Sequence, residues 1–285
     1  MIIIRLKGGL GNQMFQYALG RSLSLEHGLA FKVDSSYLHS MNQSDRLLRL
    51  RNFNLDLEEC GKDEIAVYAG AFQKILDCFL PFSKKKKILE GSPRFDERVL
   101  HKKDGYFDGH WNTERYFQKF ESAIVEDFRL KEPFGEAARI FFEKMQSEPN
   151  ATSIHVRRGD YAAIKKIAER HGTLPISYYE QAMEGIAHKF PQAHFFIFSD
   201  DIAWAKEHMP KKYSLTFVSN PAIEDYEELM LMAMCKHNII ANSTFSWWAA
   251  WLNRNAEKVI IAPRRWFLDV TIDTRDLIPS SWQQI

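Results

Sequence analysis

A chain of 285 residues, 45% hydrophobic and 26% charged, has enough apolar material for one large domain or two ordinary ones. Its net charge of +1 provides no basic field, which argues against nucleic acid as the main partner. Cys60, Cys78 and Cys235 are too few and too widely spaced for a disulfide scaffold or a zinc framework, and they point to a reducing compartment.

The apolar start Met1 to Ile4 is cut off by Arg5 and Lys7, too short for a signal-peptide core or a membrane span. No later stretch reaches the roughly 18 apolar residues that a spanning helix needs, so a cytoplasmic location is expected. Ile2 to Leu6 reads as a buried strand that runs into Gly8-Gly9-Leu10-Gly11-Asn12-Gln13. A helical pattern carried by Phe15, Ala18, Leu19 and Leu23 comes next. Strand, glycine turn and helix open a doubly wound α/β domain. The spacing is not that of the dinucleotide fingerprint, so Gly9 and Gly11 fit a plain tight turn as well as a ligand loop. The amides of Asn12 and Gln13 favour the loop.

Ala30 to Val33 is a second strand, closing with Asp34, after which the pattern weakens through residue 110. Lys84 to Lys87 form a basic run that reads as a solvated loop or as a weak contact with anionic lipid headgroups. Gly105 to Glu114 interleaves aromatic and polar residues, as a sugar-binding surface would, or a partly buried structural patch. Glu114 to Phe128 and Pro133 to Met145 look helical, and the polar stretch Gln146 to Ala151 suggests a domain boundary at residue 150.

From Thr152 the alternation is regular. Strands are expected at Thr152 to Val156, His194 to Phe198, Ser214 to Val218, Asn238 to Ala241 and Lys258 to Ile261. Helices are expected at Ser177 to His188, Ile202 to His208, Glu224 to Lys236 and Phe245 to Leu252. Such alternation implies a parallel sheet covered on both faces, with ligands outside the carboxyl ends of its strands. Three polar clusters fall at those ends: His155, Arg157, Arg158 and Asp160; Ser199, Asp200 and Asp201; Asn242, Ser243, Thr244, Phe245 and Ser246.

Paired arginines suit a pyrophosphate, since each guanidinium is a planar fork of donors. Hydroxyls and N–H groups opening a helix suit a phosphate or a cap. Adjacent aspartates do not reproduce the spaced carboxylates of metal-dependent sugar-nucleotide transferases, so no metal is expected, and one of the pair is expected to cap the next helix or to accept from a base or ribose. Arg170-His171-Gly172 has the start of a histidine-phosphatase motif but lacks its second arginine and does not follow a strand.

Gly8 to Ala18, His155 to Asp160 and Asn242 to Trp248, in that order, resemble bacterial α-1,2-fucosyltransferases of glycosyltransferase family 11. The resemblance runs over nearly the whole chain. It implies an α/β, GT-B-type fold: two Rossmann-like domains facing across a cleft, 1–150 on the acceptor side and 151–285 holding the donor. It also implies inverting transfer from GDP-fucose to the 2-hydroxyl of a galactose-terminated acceptor without a metal ion, as in O-antigen biosynthesis. The roles that fit are Arg157 at the β-phosphate, Arg158 as loop anchor, and His155 and Asp160 orienting that arginine or touching the donor. Ser199 and Asp200 would take the guanosine, Asn242 and Ser243 to Ser246 the pyrophosphate, and Asn12 and Gln13 would reach across from the first domain. The general base is not identified, Asp160 standing first and His155 second. Within the transferase class the alternative is transfer of fucose to a different hydroxyl, and two rival classes remain: a non-catalytic sugar-nucleotide or glycan-binding protein, and, from Gly8 to Gly11, a nicotinamide-dependent oxidoreductase.

Overall fold

The structure, a computed structural model, describes residues 1–39, 47–159, 161 and 165–285. The chain divides into two units, Met1–Glu132 with Asp273–Pro279, and Pro133–Ile272 with Ser280–Ile285.

In the first unit, β-branched β1 (Ile2–Arg5) lies at the centre of a parallel sheet. Its neighbours are β2 (Phe31–Asp34) and β4 (Gly105–Asp108), and β3 (Lys87–Leu89) pairs with the far side of β4. Gly8 turns the chain with φ of +79°, where a Cβ would lie 2.6 Å from Asn12 Nδ2, so this position requires glycine. Helix α1 (Leu10–His27) starts directly after Gly9, which places Gly11 inside the helix. Its buried residues Met14, Phe15, Ala18, Leu19 and Leu23 explain the periodicity of the sequence.

Between β2 and β4 the sequence pattern is weak because the elements are short: α2 (Lys62–Ala69), α3 (Ala71–Phe79) and the three-residue β3. The aromatic stretch at 105–114 is structural. Tyr106 donates to Asp34 at 2.6 Å, Phe107 is buried in β4, and Trp111, with φ of 58°, packs edge-on against Phe107 and Tyr116. The single helix expected at Glu114 to Phe128 is instead two 3-10 turns, Glu114–Tyr116 and Gln118–Phe120, and then α4 (Glu121–Asp127). Phe117, at φ −139° and ψ −1°, interrupts the helical path.

The returning segment Asp273–Pro279 is fixed by carboxylates. Asp276 accepts from Arg94 Nε at 2.6 Å, Arg115 Nη1 at 2.9 Å and Phe95 N at 3.0 Å, and Asp273 pairs with Arg94 Nη1 at 2.8 Å.

In the second unit the sheet order is β10-β9-β8-β5-β6-β7, all parallel. The strands are β5 (Ala151–Val156), β6 (His194–Ser199), β7 (Ser214–Phe217), β8 (His237–Ile239), β9 (Ile260–Ala262) and β10 (Gln283–Gln284). Counted within the unit, this is the 3-2-1-4-5-6 order of doubly wound folds, and the order reverses between β5 and β8. The helices are α5 (Glu136–Ser147), α6 (Lys165–His171), α7 (Ile176–Lys189), α8 (Ile202–His208), α9 (Asp225–Met234) and α10 (Thr244–Leu252). Ile154, Val156, Phe195 and Ile197 pack against Tyr179, Met183 and Ile186 of α7, whereas Trp247 and Trp248 of α10 are buried core.

The division between the units falls at Glu132/Pro133 rather than at residue 150. Helix α5 belongs to the second unit because Glu227 of α9 accepts from Gly135 N at 2.7 Å, just ahead of α5. The polar stretch after α5 is a loop inside that unit.

Asp276→Ala should cost about 2 kcal/mol of stability, the scale of a few hydrogen bonds to a charged group made by partly exposed donors. Chemical denaturation would measure it.

Candidate functional site

The three predicted clusters converge on one edge of the second sheet. Asp200, just past β6, accepts Arg157 Nη1 at 3.0 Å with one carboxylate oxygen and Arg158 N at 2.8 Å with the other. A Cβ at Gly159 would lie 2.6 Å from that carboxylate, so glycine lets the loop after β5 close over Asp200. The Arg157 guanidinium also lies over the Tyr161 ring at 5.3 Å. Arg158 turns away, stacking on Trp204 at 4.0 Å with Nε 3.6 Å from Asp201. Asp201 caps α8 by accepting from Trp204 N at 3.1 Å, the capping role expected of one aspartate. Ser199 accepts from Asp201 N at 3.0 Å, and its own N–H donates to Ser219 Oγ at 2.9 Å.

On the other side of β5, at the switch point, His155 Nδ1 and Ser246 Oγ are 2.9 Å apart, which joins the end of β5 to the first turn of α10. Phe245 lies beside the imidazole, ring centres 5.4 Å apart. Ser243, the N-cap residue, makes no side-chain cap bond, and Thr244 and Phe245 are half-buried at the opening of the helix. A helix start of this kind suits an anion.

Burial, reinforced by the Arg157 charge, pushes the His155 imidazole down to about 3. It is therefore neutral at physiological pH, and its contact with Ser246 positions α10 against β5. Asp160, the first choice for the general base, lies outside the described residues.

Two other candidates are committed to the fold. Asn242 is buried, and its Nδ2 faces the carbonyls of His171 at 2.9 Å, Trp266 at 3.2 Å and Gly172 at 3.3 Å. Gln13 is fully buried, with Nε2 donating to Leu47 O at 2.9 Å and Gly8 O at 3.2 Å while Oε1 accepts from Arg49 N. Both amides brace loops through these bonds. Gly9, Gly11 and Asn12 belong to the first unit, where Asn12 is half-buried against Gly8.

One residue escapes a reading of the sequence. Glu228, in the first turn of α9, is pushed up to about 7 by burial, with Asp225 and Asp200 adding to the shift and a Ser219 hydrogen bond opposing it. In sequence it is one of several acidic residues suited to a helix start; what sets it apart is its desolvated position near Asp225 and Asp200.

In doubly wound parallel sheets the switch point is where ligands bind. The profile of glycosyl transferase family 11 matches residues 84–283, and the chain belongs to that family. It is 31% identical to an α-1,2-colitosyltransferase of Escherichia coli, over 100% of this chain and 99% of that one. It is 32% identical to the O-antigen biosynthesis glycosyltransferase WbnK of Escherichia coli, over 92% and 93%. The fold resembles a mutant of Arabidopsis thaliana FUT1 in complex with GDP, with TM-score 0.50 and 10% identity over 99% of this chain and 75% of that one.

The imidazole of His155 stabilises the folded state fully above its ordinary value of 6.5 and loses that contribution as pH falls toward 3. The stability gap between the wild type and His155→Gln should therefore narrow steadily from pH 7 to pH 4 in denaturant titrations.

Proposed function

We propose that this glycosyltransferase moves L-fucose from GDP-β-L-fucose to the 2-hydroxyl of a galactose-terminated glycan, inverting the anomeric centre without a metal ion. The observation that carries the reading is the polar constellation joining β5, β6 and α10: Asp200 holds Arg157 just past β5, and His155 at the end of that strand meets Ser246 in the first turn of a helix at the switch point. The acceptor oxygen forms its bond to the anomeric carbon while the bond to GDP breaks, and the electron pair leaves on the β-phosphate. Arg157, held by Asp200, and the first turn of α10 with Ser243, Thr244 and Ser246 neutralise that charge, as a cation would elsewhere. Ser199 and Asp200 face the guanosine. Glu228, able to give or accept a hydrogen bond near neutral pH, belongs to the same end. The acceptor proton goes to a carboxylate, for which Asp160 is the candidate.

The α-1,2 linkage is supported by the name of the colitosyltransferase relative, and the fucosyl donor by the motifs at Gly8 to Ala18, His155 to Asp160 and Asn242 to Trp248. That relative also favours a second reading, in which the sugar moved is colitose. O-antigen assembly as the setting is supported by the WbnK relative.

Parallel incubations with GDP-fucose and GDP-colitose, a panel of β-galactosides, and EDTA in half the tubes test the reading. Product linkage by NMR identifies the hydroxyl, donor hydrolysis without transfer rejects it, and an EDTA-sensitive rate rejects the metal-free step.

Arg157→Ala should lower kcat by about 10²–10³, the size seen when one group stabilising a transition-state charge is removed. Its melting temperature should stay close to that of the wild type, because the side chain is partly exposed. Near-wild-type turnover would reject the leaving-group role.

A further inference from the structure

Helix α3 in the first unit is built inside out. Phe72, Ile75, Leu76 and Phe79 fall at i, i+3, i+4 and i+7, which places them on one face. That face is exposed, by 75%, 61%, 41% and 85% respectively. The buried residue of the helix is Asp77, which accepts from Lys87 N at 2.7 Å, Gln73 Nε2 at 2.8 Å and Lys86 N at 3.0 Å. A carboxylate thus fastens α3 to the start of β3, and the apolar stripe stays exposed among the described residues. Val67 on α2, 64% exposed, adds to the apolar surface of this α-helical pair.

Immediately after α3 the chain enters a basic concavity of about 760 Å³, which Phe82 lines together with Lys84, Lys85, Lys86, Arg98 and Lys103. Asp104 is the carboxylate in its wall and pairs with Lys86; Arg98 pairs with Asp96 and lies over the Phe82 ring at 4.6 Å. Lys84 and Lys103 have no ion-pair partner among the described residues.

We infer that α3 and the adjoining Lys84 and Lys85 dock the protein on an anionic phospholipid surface, with the apolar stripe in the acyl–headgroup boundary and these lysines on the phosphates, Lys86 and Lys87 being paired with Asp104 and Asp108. Nine residues span only about 13 Å, so the helix lies in the interface rather than through the roughly 30 Å core. No helix among the described residues is long and apolar enough to cross a membrane. Charge selects the occupant. A two-fold pairing through this patch would bring one lysine cluster against its own copy, whereas anionic headgroups complement it. The inference is independent of the donor and acceptor proposed above.

Co-sedimentation of the full chain with phosphatidylcholine vesicles, with and without about one third phosphatidylglycerol, tests it. The wild type should bind the anionic vesicles and be released by salt. Phe72→Ser combined with Phe79→Ser should abolish binding while leaving the melting temperature and turnover of a soluble acceptor unchanged. Lys84→Gln combined with Lys85→Gln should weaken binding roughly 25-fold, at about fivefold per lysine. Absence of binding, equal binding to neutral vesicles, or binding indifferent to the Phe variants overturns the proposal. So does a dimer in light scattering that the Phe variants dissociate, since the stripe would then be a protein interface.

Discussion

The carboxylate of Asp200 is the constraint on which the order of the site rests. It sits past the end of β6, yet it fixes the loop after β5 by taking a guanidinium on one oxygen and a backbone N–H on the other. Both bonds are charge-assisted, the stronger class, and they act in directions that a single neutral acceptor could not satisfy together. The aspartate thereby sets the position of Arg157 and, through Gly159, the path of the chain leading away from the strand. Arg158 is turned toward Trp204 by the same closure, so adjacent arginines of identical chemistry occupy different environments. On the other side of β5, the contact between His155 and Ser246 performs a matching task for α10. Burial keeps that imidazole neutral.

The doubly wound plan of the second unit was legible because its strands are β-branched or aromatic runs separated by amphipathic helices of ordinary length. Polar residues at strand ends followed from that plan, and they do assemble. The first unit was legible only as far as β2. Strands of three and four residues carry too few side chains for a period to emerge, and Tyr106, Phe107 and Trp111 are chemically indistinguishable, in sequence, from a sugar platform. Helix α3 was hidden for another reason: its amphipathic pattern is present, but its apolar face does not point into a core.

The amides show what sequence cannot rank. Gln13 and Asn242 sit inside motifs suited to ligands, and both are buried braces between chain segments far apart in sequence. An amide has donors and an acceptor in one plane, which suits a loop brace as well as a nucleotide. The choice is made by burial and by the carbonyls within reach, and neither is written in the local sequence. Glu228 shows the converse, since its proton affinity is a property of the packing around it.

The return of Asp273–Pro279 to the first unit makes the chain cross between the units more than once. The gene therefore cannot be treated as two cassettes in series. A chimera made by exchanging everything after Glu132 with a relative would also replace the acids that hold Arg94 and Arg115. Its first unit would then carry a foreign clasp even though every residue up to the junction was native. Recombination that respects the folded units has to move residues 273–279 with the N-terminal half, and the same rule governs which truncations can leave either half intact.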